Sequence, residues 1–151
     1  MSAGLRRARE EDIPQLEALI TAEGLPAYGL AEYLKTFFVL DEGERVVGCA
    51  GLEVYGGAAL LRSVVVAPER RMRDDGRRLV EAALAEARER SVRRVYLFTM
   101  HADSFFRRLG FREVRLDGFE QAVRASRQYE VVSQIPQLRE RVKAMALELG
   151  R

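Results

Sequence analysis

Val64-Val65-Val66-Ala67-Pro68-Glu69-Arg70-Arg71-Met72-Arg73-Asp74-Asp75-Gly76-Arg77-Arg78-Leu79 is the stretch that decides the fold. Three β-branched residues run into Pro68, as a strand does when it stops. A charged turn follows. From Gly76 the apolar residues Leu79, Val80, Ala83, Leu84 and Ala87 recur at helical spacing, with Arg and Glu between them. A helix over 76–90, set between the strand ending at Pro68 and the apolar run Arg93–Thr99, carries the chain across a sheet into a parallel pairing. Backbone N–H groups at such a helix start lack intrahelical partners, and the helix dipole favours an anion there. Arg71, Arg73, Arg77 and Arg78 add charge-assisted donors. The same residues also suit a plain solvated connection between strand and helix.

Upstream, Leu5–Arg9 reads as a short strand. Glu10-Glu11-Asp12-Ile13-Pro14 reads as a helix start, with Ile13, Leu16, Leu19 and Ile20 on one face. Leu30–Thr36 reads as a second helical piece. Phe37–Leu40 and Arg45–Glu53 flank the turn Asp41–Glu44 as a hairpin, and Ala58–Ala67 makes a third strand of an antiparallel meander. Downstream, Ala102–Leu109 is a short helix closed by Gly110, and Phe111–Leu116 is a last clear strand. Arg124–Val132 is expected to hold a helix end and an edge strand. Gln137–Leu149 is expected to be a C-terminal helix whose apolar side (Leu138, Val142, Met145, Leu149) suits a homodimer contact or its own domain.

The chain's 151 residues suit a single domain that needs no disulfide or metal to hold it. Hydrophobic residues at 48% and charged residues at 32% exclude a disordered chain. A net charge of +2 argues against nucleic-acid binding through a global field. Within that balance 23 of the 25 basic residues are Arg, the side chain suited to gripping phosphates and carboxylates with two hydrogen bonds. Cys49 is alone in the apolar run Val46–Ala50 and reads as a small core residue. With His101 the only histidine, no metal site is expected. The N-terminus is too polar for a signal peptide and no apolar run approaches a membrane span, so a soluble cytoplasmic protein is expected.

The strand, proline, loop and helix at 64–79 resemble the acetyl-CoA-binding motif of GNAT superfamily N-acetyltransferases, an Arg/Gln-x-x-Gly-x-Gly/Ala pattern after a Val-x-Pro strand end. Ala102-Asp103-Ser104-Phe105-Phe106-Arg107-Arg108-Leu109-Gly110-Phe111 is similar to the superfamily's Ala-x-x-Phe-Tyr-x-x-x-Gly-Phe segment. Gly51-Leu52-Glu53, Tyr55-Gly56, Leu60-Leu61-Arg62-Ser63-Val64 and Tyr96-Leu97-Phe98-Thr99 resemble the arsenic-resistance (ArsN-type) acetyltransferases and short glutamate N-acetyltransferases. The resemblance implies an α+β, three-layer GNAT fold over residues 1–151. Its central sheet would be mixed, mostly antiparallel, with one splayed parallel pair and helices on both faces. It also implies transfer of acetyl from acetyl-CoA to the amine of a small carboxylate-bearing acceptor, an amino acid or an amino-acid-like arsenical, by direct attack in a ternary complex.

Site roles follow from that resemblance. Backbone N–H groups at Val64, Val65 and Val66 would contact the thioester carbonyl, and Arg71, Met72, Arg73, Asp74, Asp75, Gly76 and Arg77 would form the coenzyme loop. Phe106 stands where many members carry a Tyr that protonates the leaving thiolate, so Tyr55, Tyr96 or water takes that task, or the thiolate leaves unassisted; Phe106 would still line the coenzyme site. Glu53 is the candidate general base. Arg62, a charge within an apolar strand, is the candidate for the acceptor carboxylate, although an outward position or a protein partner such as Glu53 accounts for it equally. Ser63, Thr99, Tyr28 and, more weakly, His101 and Tyr33 would join it. With Arg71 at the pattern's Arg/Gln and Gly76 at its last Gly/Ala, Asp74 takes a Gly position, and Met72 and Asp75 stand where Gly and an apolar residue are usual in the family. A GNAT-fold scaffold that no longer binds acetyl-CoA is therefore the alternative.

Overall fold

The computed structural model describes residues 3–71 and 73–150. The chain begins with β1 (Gly4–Arg7), a 3-10 turn at Glu10–Asp12, α1 (Ile13–Ala22) and α2 (Leu30–Tyr33), which runs on as a 3-10 turn to Thr36. Next come β2 (Phe37–Glu42), β3 (Arg45–Tyr55) and β4 (Ala58–Val66). A 3-10 turn at Pro68–Arg70 leads to α3 (Asp75–Glu89) and β5 (Arg94–Thr99). The remainder holds α4 (Asp103–Arg108), β6 (Arg112–Glu113), α5 (Gln121–Arg124), α6 (Arg127–Gln134), α7 (Pro136–Arg141) and β7 (Lys143–Glu148). The seven strands form one sheet in the order β1-β2-β3-β4-β5-β7-β6. β4 and β5 pair in parallel, and the other pairs for which a register is defined are antiparallel. This is the expected mixed fold, with its parallel pair where the crossover helix puts it.

The contacts group into two compact units: the chain through Glu53 with Leu61–Glu86, and Val54–Leu60 with the chain from Ala87. In the first unit, Leu16 and Ile20 of α1 and Leu30 of α2 bury against Phe37, Val39, Cys49 and Val65. The helical spacing of α1 and the strand alternation thus meet in one apolar layer. In the second unit, Tyr96 stacks on Phe119 with ring centroids 4.3 Å apart, and Phe98 stacks on the same ring at 5.3 Å. Ala58, Leu60, Val123, Ala144 and Ala146 complete that core.

Three expectations fail in the C-terminal third. The C-terminal helix over 137–149 is replaced by α7, which stops at Arg141, and β7. Local composition favours helix there, but Ala144, Met145 and Ala146 are buried between β5 and β6, and the sheet position overrides propensity. Met145 is fully buried, so the apolar side proposed for a homodimer does not exist as a helix face. The strand expected at 111–116 shrinks to Arg112–Glu113 and turns at Leu116–Gly118. The edge strand expected within 124–132 is instead helix, with Ser126 capping α6 by accepting from the Tyr129 N–H.

Candidate active site

The β4–β5 ladder is short. It runs Ala58–Arg94, Ala59–Val95 and Leu60–Tyr96 and then ends. Three residues later the β4 backbone leaves extended geometry, with Ser63 at φ 57°. A left-handed residue inside a strand bends it and re-aims the groups that follow, as a bulge does. Those groups are Val64, Val65 and Val66, the expected carbonyl contacts. Ser63 is held on two sides. The Cys49 thiol donates to its carbonyl at 3.1 Å, and the Arg62 Nε donates to its hydroxyl at 3.0 Å.

Arg62 and Glu53 are the most buried charges of the first unit, with side chains 0% and 1% exposed. The Arg62 Nη1 donates to Glu53 Oε2 at 2.9 Å, and Nη2 donates to the Pro26 carbonyl at 3.3 Å. The guanidinium also lies 4.3 Å over the Tyr28 ring and 5.5 Å from the Phe37 centroid. Burial, and then the nearby Glu53 charge, push the Tyr28 phenol above its ordinary range. Tyr28, Glu53, Arg62 and Ser63 are therefore brought together as expected, but the roles change. An acceptor carboxylate has to displace Glu53 to reach Arg62, and Glu53 is committed to a cation rather than presented as a free base.

Cys49 is fully buried, and desolvation pushes its thiol up to about 12. It is a core residue, as its sequence context indicates. We expect no reaction of the native protein with a disulfide-exchange thiol reagent at pH 8 and full reaction in guanidinium. Rapid labelling of the native protein would mean that β4 opens.

In the coenzyme loop Asp74 adopts φ 67°, the left-handed conformation that glycine usually supplies and that Asp tolerates among L-residues. Its carbonyl accepts the Arg78 N–H that begins the helical ladder of α3. The Asp74 carboxylate is chelated by Arg77, whose Nε lies 2.9 and 3.0 Å from its two oxygens, and this holds the acid below its ordinary range. Asp75 is buried against Arg70, with Arg78 at 3.5 Å. Neither acid is thus an unbalanced negative charge toward a diphosphate. Arg71 pairs with Glu23 at 2.8 Å. Among the described residues, Arg73 is exposed and has no ion pair within the protein, leaving it available to a phosphate. Met72, also assigned to this loop, lies outside the described residues, and Gly76 falls in the first turn of α3.

In the second unit, Tyr96 is 1% exposed, and its hydroxyl is held by Arg94 and Glu120 at 3.2 Å each. With its ring stacked on Phe119, it supports the core and is not poised as an acid. Thr99 accepts the Ala102 N–H at 3.0 Å, and Phe106 is buried against Phe105 and Phe111. His101 is exposed. Sequence reasoning missed Arg70 as a structural residue, because its partner lies five positions on, across a turn with no repeating period.

A mixed sheet whose one parallel pair is joined through an arginine-rich turn and a helix, with a bend in the first strand of that pair, is the arrangement that the resemblance to GNAT acetyltransferases implies. The chain belongs to the acetyltransferase (GNAT) domain family, which matches residues 34–113. It is 35% identical over 95 residues to an uncharacterized N-acetyltransferase of Chlorobaculum tepidum, covering 62% of this chain and 61% of that protein. It is 31% identical over 120 residues to an amino-acid acetyltransferase of Mycobacterium tuberculosis, covering 73% of this chain and 68% of that one. A Vibrio cholerae amino-acid acetyltransferase, 27% identical, is matched over only 24% of its length. Among solved structures, a Mycobacterium tuberculosis protein in complex with CoA superposes with a TM-score of 0.80 at 25% identity, over 97% of this chain and 99% of that one. N-acetylglutamate synthase of Neisseria gonorrhoeae, complexed with coenzyme A and N-acetyl-glutamate, shares the fold at TM-score 0.82 over all of this chain and 36% of its own.

Proposed function

We propose that this protein transfers acetyl from acetyl-CoA to the amine of a small carboxylate-bearing acceptor, by direct attack in a ternary complex. The family match over residues 34–113 carries this reading, because it spans β4, the loop and α3. Two further observations support it. The loop keeps a left-handed turn at Asp74 and neutralises both of its acids, leaving Arg73 and the start of α3 to meet phosphate. Tyr28 and Ser63, the residues assigned to the acceptor, gather at the Arg62 guanidinium. The neutralised acids remove the charge argument for a scaffold without coenzyme.

In the reaction the amine nitrogen attacks the thioester carbonyl carbon, the C–S bond breaks and CoA leaves as thiolate. The amine's proton passes to solvent, since Glu53 is engaged by Arg62. Backbone N–H groups beyond the bend at Ser63 would stabilise the developing oxyanion. An amino-acid-like arsenical carries the same amine and carboxylate and belongs to the same acceptor class. No helix among the described residues is long and apolar enough to cross a membrane. That agrees with a proposed cytoplasmic setting, where acetyl-CoA is available.

Calorimetric titration with acetyl-CoA tests the first half, and absence of heat at millimolar ligand would overturn the reading. An acetylation screen tests the second half by comparing free amino acids with the amines formed by their decarboxylation. We expect the amino acid to be favoured at least tenfold, because a site built to pair a carboxylate leaves its polar groups unpaired when the amine binds. Equal rates would remove the carboxylate from the acceptor class.

A further inference from the structure

Asp75, at the start of α3, stands where an apolar residue is usual in the coenzyme loops that this one resembles. Its partner explains it. Arg70 ends the 3-10 turn after Pro68 and is only 4% exposed, although it sits in the most arginine-rich stretch of the chain. Its Nε donates to Asp75 Oδ2 at 3.1 Å, and Nη2 lies 3.1 Å from the same oxygen. Its Nη1 donates to Glu42 Oε2 on β2 at 2.8 Å. Asp75, 3% exposed, faces Arg78 as well. The last residue of one helical turn and the first residue of α3 are thus tied together beneath Arg71, Arg73 and Asp74, which are exposed.

We propose that the buried Arg70–Asp75 ion pair is the positioning device of the coenzyme loop, taking over in this chain the fixing of the turn that the loop pattern otherwise assigns to glycines and an apolar anchor. Asp74 occupies the left-handed position at some conformational cost. The two residues flanking this segment are joined by two charge-assisted contacts in a dehydrated site, where such contacts are strong and directional. The pair holds the start of α3 against the turn, so that its first N–H groups and the Arg73 guanidinium face a diphosphate in one arrangement. Arg70 and Asp75 touch no ligand themselves and act through the backbone they connect. The proposal rests on the reading that this loop receives acetyl-CoA.

The test is calorimetric titration with CoA, together with steady-state kinetics, on the full chain. Asp75→Asn keeps the shape and removes the charge. It is expected to weaken CoA binding at least tenfold and to raise KM for acetyl-CoA to match, with kcat and the acceptor KM within twofold. Glu42→Gln removes the second carboxylate charge at the same guanidinium from outside the loop while keeping an acceptor oxygen, and CoA affinity is expected to stay within twofold. Should Asp75→Asn not fold, Arg70→Lys, which keeps the charge but loses the fork, is expected to weaken CoA at least threefold. Unchanged CoA affinity in whichever of these two variants folds overturns the proposal. So does a parallel loss with Glu42→Gln, or a fall in kcat without a rise in KM. Failure of the unsubstituted protein to bind CoA overturns the functional reading and this inference together. Binding by that protein with no change in the variants overturns this inference alone.

Discussion

Replacing Glu53 with alanine is expected to lower folding stability by about 3–5 kcal/mol, the loss that follows when one partner of a buried ion pair is removed. The reason lies with the group left behind. Arg62 is fully enclosed between β3, β4 and the 26–29 segment, and among the described residues Glu53 is the carboxylate that cancels its charge at hydrogen-bond distance. The Pro26 carbonyl, the Ser63 hydroxyl and the Tyr28 ring solvate the guanidinium but carry no full negative charge. A domain of this size has about 5–15 kcal/mol in total, so the variant stands near the limit of folding. Equilibrium urea unfolding measures the difference, with an unchanged slope showing that the same transition is being followed. Replacing both partners together (Glu53→Leu with Arg62→Met) is expected to recover most of the loss, because apolar groups of similar volume need no counter-charge. A loss below about 1 kcal/mol for Glu53→Ala would mean that water reaches Arg62.

Gly51→Ala is the second large effect, at about 3 kcal/mol, the upper part of the range for overpacking. A Cβ at this position would lie 2.3 Å from two carbons of the Phe37 ring, closer than carbon atoms approach. Phe37 pairs with Gly51 across the β2–β3 ladder and is itself fully buried against α1 and α2. The ring therefore has nowhere to go without moving two helices or the Arg62 guanidinium behind it. Gly118→Ala is the matched control. Nothing lies within 4 Å of its added Cβ, and a change within about 0.5 kcal/mol is expected. Thermal unfolding of the pair decides the matter, and equal midpoints would show that Phe37 swings aside freely.

The N-terminal two thirds of the fold was legible because local pattern and tertiary demand agree there. The alternation of β2 to β4 and the apolar stripe of α3 each point one face inward, and the structure uses those faces. The last third was misread where they disagree. Met145 and its neighbours sit in a sequence rich in helix formers, yet they fill a slot between two strands, and nothing local announces a vacancy in a sheet. The same division holds at the site. The loop and the unusual charge of Arg62 could be located from residue type and order, and the splayed strand and Tyr28 from the family resemblance. Their pairings could not be, since Glu53 with Arg62 and Arg70 with Asp75 depend on which way each side chain turns at burial. Tyr96 follows the same rule: its strand is legible in the sequence, but Arg94 and Glu120 as partners of its hydroxyl are not.

The clasp between Arg70 and Asp75 also bears on how the protein ages. Asp75 is followed by Gly76, and an aspartate before glycine is prone to isomerise, as the glycine nitrogen attacks the aspartate carboxyl and expels water to close a succinimide ring. That attack needs a carboxyl free to rotate and a backbone free to fold toward it. Here the carboxylate is ion-paired on two sides within the first turn of a helix, so neither freedom is present. The contact that orders the loop therefore also shields this peptide unit from slow chemical damage.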